Sequence, residues 1–244
     1  MDKIDRKIVF NHFYGLRHDL KRSYIYSREG NLSPINKKAN VRVDRYWATK
    51  IHPIYAMLLS FASTPILYSK YVCQIAYFLD ITNEEVENII KPFLDGDEPF
   101  YSHYGGGISQ FPRNVIIDAD KASILPKEYN PEEFRFASVD LQQERSFYSP
   151  STVVFMPNNT CTTNCVYCYA DKTNGHRQMN FDQVKLILKE CYDLRIREFM
   201  ITGGDVFVYK HWRELLSCMR EYNMNIGLLS TKTPLQEDDV RMVK

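Results

Sequence analysis

Three cysteines, Cys161, Cys165 and Cys168, fall within eight residues in the stretch Asn159-Thr-Cys-Thr-Thr-Asn-Cys-Val-Tyr-Cys-Tyr169. The spacing is C-x3-C-x2-C. Thiolates this close on one loop can converge on one inorganic centre, and soft sulfur donors favour an iron–sulfur cluster or zinc. Three thiolates on a four-iron cluster leave one iron open, which suits a catalytic centre better than a closed structural one. Zinc would want a fourth ligand, for which His176 and Cys191 are the nearby candidates. The remaining cysteines, Cys73, Cys191 and Cys218, stand singly in helical contexts and read as small core residues. Downstream, Ile201-Thr-Gly-Gly-Asp205 sets a glycine pair and an acid 35 residues beyond Cys168. Glycine lets backbone approach a ligand closely. Lys172 and Lys232 lie at strand-end loops and, as ordinary exposed lysines, carry no assigned role.

The elements around these residues follow from periodicity. Thr152–Met156 is a short apolar run read as a strand, and the cysteine loop follows it. Phe181–Asp193 repeats apolar residues at helical spacing, Glu198–Thr202 is a second strand ended by Gly203-Gly204, and His211–Tyr222 is a second amphipathic helix. Asn225–Ser230 reads as a third strand, and Asp238 opens a third helix. Strand–helix alternation of this kind predicts parallel pairing, and in a βα barrel the loops at the C-terminal ends of the strands form the functional face. The cysteines sit on such a loop.

The first half has a different rhythm. Ile8–Tyr14 and Lys21–Ser27 are rich in β-branched and aromatic residues and are expected as strands. Helical patterns follow over about 52–61, 69–79 and 83–94. The third opens with Thr82-Asn-Glu-Glu85, a capping box. A hairpin is expected between Phe100–Tyr104 and Asn114–Asp118, with Gly105-Gly-Gly107 as the bend. Three helices and a hairpin are the outline of a winged helix. We therefore expect a winged-helix-like α+β domain over 1–125, a linker over 126–150 marked by Pro126, Pro131 and Pro150, and an α/β domain over 151–244.

Composition narrows the class. The 244 residues carry 31 Lys+Arg against 30 Asp+Glu, a formal net charge of +1, with 44% hydrophobic and 25% charged residues. This is ordinary globular composition and excludes disordered and collagen-like chains. Balanced charge argues against a generally basic nucleic-acid binder, and Glu84, Glu85 and Glu87 make the front of the third helix acidic where a recognition helix needs positive charge. The N-terminal MDKIDRKIVF has no apolar signal core, and no apolar run approaches the roughly 20 residues of a membrane helix. A cytoplasmic chain is expected, in which clustered cysteines point to metal or redox chemistry rather than to disulfides.

The sequence resembles the radical S-adenosylmethionine (radical SAM) enzymes. Their hallmark, C-x3-C-x-aromatic-C after the first strand of a partial (β/α)6 barrel, is matched by Cys161, Cys165, Tyr167 and Cys168, and their Gly-Gly-Glu strand end by Gly203-Gly204-Asp205, with Asp in place of Glu. The wording FMPNNTCTTNCVYCYADK with MITGGDVF most resembles the branch of peptide maturases and anaerobic sulfatase-maturating enzymes. The resemblance implies that the three cysteines hold a [4Fe-4S] cluster whose open iron chelates S-adenosylmethionine, with Tyr167 on the adenine side and Gly203, Gly204 and Asp205 near the methionine amino group. It implies reductive cleavage of that molecule, hydrogen abstraction from a peptide or protein held partly by the N-terminal domain, and an electron donor such as flavodoxin or ferredoxin. About three of the family's six βα units are present, so the chain is expected to be a C-terminally truncated and poorly active piece. Two alternatives stand beside this reading: a non-enzymatic, zinc-stabilised winged-helix binding module, and a radical SAM enzyme acting on a small molecule or RNA.

Overall fold

The computed structural model describes residues 6–28, 41, 43–44, 47–94, 96–122, 128–136, 138–142, 148–169, 178–196, 198–222, 224, 226–228 and 232–243. The chain divides into two units, Met1–Tyr148 and Ser149–Lys244.

In the first unit, strands β1 (Lys7–Phe10), β2 (Tyr14–His18), β3 (Ser23–Ser27) and β4 (Ala48–Ile51) precede helix α1 (Pro53–Ser60). Then come β5 (Ile66–Leu67), α2 (Tyr68–Leu79), α3 (Asn83–Ile90), β6 (Phe100–Tyr104), β7 (Gly107–Phe111) and β8 (Ile116–Asp118). They form two three-stranded antiparallel sheets, β5-β1-β8 and β2-β3-β4, and the hairpin β6-β7. Ile8, Phe10, Leu16, Ile25, Tyr71, Val86 and Phe111 share one core with the buried face of α1.

Four expectations for this unit are corrected. The run read as one strand from Ile8 to Tyr14 breaks at Asn11, whose side-chain oxygen accepts from the Phe13 amide at 3.1 Å while its Nδ2 donates to the Asn114 carbonyl at 2.8 Å. This local turn competes with strand continuation. The hairpin pairs Phe100–Tyr104 with Gly107–Phe111, not with 114–118. Gly105 and Gly106, at φ 57° and 77°, make a two-residue turn whose twist suits a hairpin, so pairing resumes at Gly107 and Ile116–Asp118 pairs with β1 instead. The third helix stops at Ile90, because Pro92 has no N–H to continue it, and Lys91–Phe93 tighten into a 3-10 turn. The stretch read as a linker also supplies core residues: Tyr129 and Phe134 are buried in the first unit.

The second unit comprises β9 (Thr152–Phe155), α4 (Phe181–Asp193), β10 (Glu198–Ile201), α5 (Trp212–Glu221), β11 (Ile226–Leu228) and α6 (Glu237–Val243). The three strands form a parallel sheet in the order β11-β10-β9. Alternation decides its two faces. Phe155, Phe199 and Ile201 are buried in a core with Val184, Leu188 and Cys191 of α4 and Leu215, Leu216 and Met219 of α5, whereas Val154 is 60% exposed. A Val206–Val208 3-10 turn, which periodicity did not anticipate, precedes α5. No helix among the described residues is long and apolar enough to cross a membrane.

Candidate cofactor-binding site

Parallel pairing brings the ends of β9 and β10 together, with Ile201 opposite Phe155. Beyond the sheet the two chains stay zipped. The Thr202 amide donates to the Phe155 carbonyl at 2.8 Å, Gly204 N–H to Asn158 O at 2.9 Å and Asp205 N–H to Thr160 O at 2.7 Å. The Asn158 side chain reinforces this, with Oδ1 accepting from the Thr160 amide at 2.7 Å and Nδ2 donating to the Asp205 carbonyl at 3.1 Å. A Cβ on Gly203 would collide with Met156 and the Asn158 carbonyl, and one on Gly204 with the Thr160 backbone. Gly203 also holds φ at 110°, a conformation side-chain-bearing residues rarely adopt. The glycine pair is thus demanded by backbone lying on backbone, directly ahead of Cys161.

The cysteine loop leaves from this zipper. Cys161, Cys165 and Cys168 are each partly exposed and none is in a disulfide. Cys165 and Cys168 bracket a turn closed by the Cys168 amide donating to the Cys165 carbonyl at 3.2 Å, and the Thr163 hydroxyl lies 3.5 Å from the Cys165 sulfur. Between and after them Val166, Tyr167 and Tyr169 are at least 73% exposed, an unusual concentration of uncovered apolar and aromatic surface on one loop. The Tyr169 hydroxyl hydrogen-bonds the Thr202 hydroxyl, which ties the end of the loop to the end of β10.

Among the described residues, no three His, Cys, Asp or Glu side chains already converge as a metal-binding group. The donor set nevertheless fits an iron–sulfur cluster in chemistry and number: three soft thiols on one short, partly exposed loop, all outside disulfides. The two fourth-ligand candidates for zinc fare differently. Cys191 is buried in the α4–α5 core, where burial pushes its thiol up to about 11, the setting of a packing cysteine. His176 and Lys172 lie outside the described residues.

Asp205 is held by the chain's own backbone. It is 1% exposed, and its carboxylate is filled by backbone amides: Oδ1 accepts from Phe207 at 3.1 Å, capping the 3-10 turn, and Oδ2 from Lys232 at 2.6 Å and Thr233 at 2.5 Å. Lys232 contributes its backbone here, and its side chain is exposed. Asn158, Thr160 and Thr233 were not singled out in the sequence. For Asn158 a signal existed, since an Asn just past a strand end, after Pro157, is a residue that bonds nearby backbone.

Comparison with known proteins bears on this geometry. Residues 155–244 match the Radical SAM superfamily. A 76-residue stretch is 28% identical to a probable GTP 3',8-cyclase from Pyrococcus abyssi (strain GE5 / Orsay), covering 31% of this chain and 25% of the relative. Among solved structures, Streptococcus suis SuiB bound to S-adenosylmethionine superposes with a TM-score of 0.56 at 13% identity, over 96% of this chain and 45% of SuiB. SuiB bound to its precursor peptide SuiA gives the same values. The chain thus spans a quarter of the curated relative's length and under half of SuiB's.

Proposed function

We propose, from the match of residues 155–244 to the Radical SAM superfamily, that this chain is the cofactor-binding part of an enzyme that cleaves S-adenosylmethionine and modifies a peptide or protein. The observation that carries the reading is the C-x3-C-x2-C loop launched from the end of the first parallel strand and zipped to the Gly203-Gly204 turn at the end of the second. Cys161, Cys165 and Cys168 would hold a [4Fe-4S] cluster. When bound, that cluster and S-adenosylmethionine supply one-electron reductive cleavage and, through it, hydrogen abstraction.

The chain's own residues do the positioning. Tyr167, exposed beside Cys168, would lie on the adenine of the cofactor, since an aromatic face gains from stacking. The Gly203-Gly204 turn would offer backbone carbonyl groups to the methionine amino group, its position fixed by the bonds to Asn158 and Thr160. Val166 and the two tyrosines would be covered on binding and would help to exclude water. A peptide substrate is supported by SuiB, which was solved with its precursor peptide and superposes on 96% of this chain. Residues 1–125 would then recognise the peptide as a winged-helix-like domain, by strand addition to their sheets. A small flavodoxin- or ferredoxin-type protein would supply the electron.

Low-temperature electron paramagnetic resonance of the whole chain, reconstituted anaerobically with iron and sulfide and reduced with dithionite, tests the reading. A reduced-cluster signal that shifts on adding S-adenosylmethionine is expected. One tightly bound zinc per chain with no cluster signal would overturn it.

A further inference from the structure

We infer that Asp205 is a positioning residue that clamps the three strand-end loops of the second unit together and so sets the geometry of the cysteine loop, rather than contacting a bound cofactor. Six hydrogen bonds converge on this one residue from three directions, one of them from the Val208 amide to its carbonyl at 3.1 Å. From the β9 loop, its amide donates to Thr160 O and its carbonyl accepts from Asn158 Nδ2. From its own turn, Oδ1 accepts from Phe207 N–H. From the loop after β11, Oδ2 accepts from the amides of Lys232 and Thr233 at 2.6 and 2.5 Å. Thr160 is the residue immediately before Cys161, so the clamp acts on the thiol loop at its root.

Chemistry argues for the clamp over a ligand role. A carboxylate that is 1% exposed and accepts three N–H bonds has its charge met where it stands. Turning an oxygen away towards a ligand would strand amides that are otherwise satisfied, at a cost of about 1–3 kcal/mol for each buried group left unpaired. The length of the acid matters as well. Aspartate is a preferred N-cap because its oxygen reaches the amide two residues on, as Oδ1 does here to Phe207. One further methylene would have to be accommodated in a site with almost no exposed surface. Asp at this position, where the family carries Glu, is on this view matched to the clamp.

The test uses the whole chain in its cluster-free form, with the variants Asp205→Glu, Asp205→Asn, Asn158→Ala and the double variant Asp205→Asn/Asn158→Ala, each first checked for a native far-ultraviolet spectrum. Two readouts do not depend on any cofactor: hydrogen exchange at the amides of Phe207, Lys232 and Thr233, and alkylation rates of Cys161, Cys165 and Cys168 mapped by mass spectrometry against Cys73 as internal reference, which is exposed and not the core residue its helical context suggested. Both Asp205 variants should speed exchange at residues 207, 232 and 233 by about tenfold or more, as loss of a buried bond implies, and raise alkylation at Cys161 several-fold with Cys73 unchanged. Asn158→Ala should raise Cys161 alkylation alike, and the double variant should add little, because both act on one network. A folded Asp205→Glu chain with unchanged exchange and thiol reactivity would overturn the clamp. So would an Asn158→Ala chain that leaves Cys161 untouched, which keeps the test decisive if the Asp205 variants fail to fold. These readouts stand even if no cluster assembles. The consequence for cofactor binding rests on the radical SAM reading, and there Asp205→Glu is expected to diminish reconstituted iron and the S-adenosylmethionine-induced signal shift, whereas a ligand role for the acid would preserve both.

Discussion

Gly204 shows how a motif residue can be required for reasons the motif does not state. Glycine before an acid at a strand end was read as an opening for a bound molecule. The structure adds a demand from the chain itself, since the Gly204 amide bonds Asn158 O and a Cβ would strike the Thr160 backbone, which unlike a flexible side chain cannot swing aside. Gly204→Ala is therefore expected to destabilise the second unit by roughly 1–3 kcal/mol, the range of overpacking that forces backbone shifts. Chemical denaturation followed by the fluorescence of Trp212, which is buried in that core, measures it; an unchanged midpoint would mean that the two loops separate more easily than their hydrogen bonds indicate. The residue types of the site were legible because thiols, glycines and an aromatic at fixed spacing have few other uses. The role of Asp205 was not. Its partners are backbone amides 27 and 28 residues further on, and no side-chain pattern announces where amides will converge.

Elements were legible where one local rule governed them. The Thr82 capping box is the clearest case: its hydroxyl accepts from the Glu85 amide at 3.3 Å, and the Glu85 carboxylate accepts from the Thr82 amide at 2.8 Å. The Thr82 amide, and after it the Thr82 hydroxyl, which donates to Glu85 Oε2 at 2.8 Å, hold the Glu85 carboxyl below its ordinary range. Thr82→Ala should cost about 1 kcal/mol. The sign with pH is fixed: a carboxylate held low contributes stability above its unfolded pKa and loses it as pH falls through the lowered value. The substitution should therefore flatten the acid limb of stability against pH, and urea unfolding across pH 3–6 reads both effects; a parallel displacement with no flattening would contradict the box. Where a tertiary partner ruled, local reading failed. Strand β7 presents Ile108 outward at 61% exposure and buries Ser109, whose hydroxyl accepts from the His52 amide at 2.9 Å, so its polarity pattern is inverted and the strand escaped notice. In the second unit α4, β9 and β10 follow their apolar spacing, because burial on one face dictates it.

At the scale of the molecule, the two units differ in what acid does to them, and the sequence happens to supply one tryptophan to each, Trp47 and Trp212. His12 in the first unit is buried, and burial, then the neighbouring Arg28 guanidinium, lower its pKa to about 4. His52 is also lowered by burial; its Nδ1 accepts from the Ile54 amide at 3.2 Å at the start of α1, which only the neutral ring can do. In the unfolded chain both rings take a proton near pH 6.5, whereas in the folded chain His12 resists until about pH 4. Between those values the unfolded state binds more protons, so the first unit loses stability as pH falls from about 6.5 to 4. The lowered acids of the second unit, Asp182 and Glu214, are surface carboxyls whose effect falls below the ordinary carboxylate range. Lowering pH from 7 to 5 should then bring down the unfolding midpoint reported by Trp47 in a Trp212→Phe chain and leave that reported by Trp212 in a Trp47→Phe chain nearly still. His12→Gln should remove most of the difference. Equal displacement of both midpoints would refute the assignment of the acid response to the first unit, where His12 and His52, both lowered by burial, have a proton to refuse.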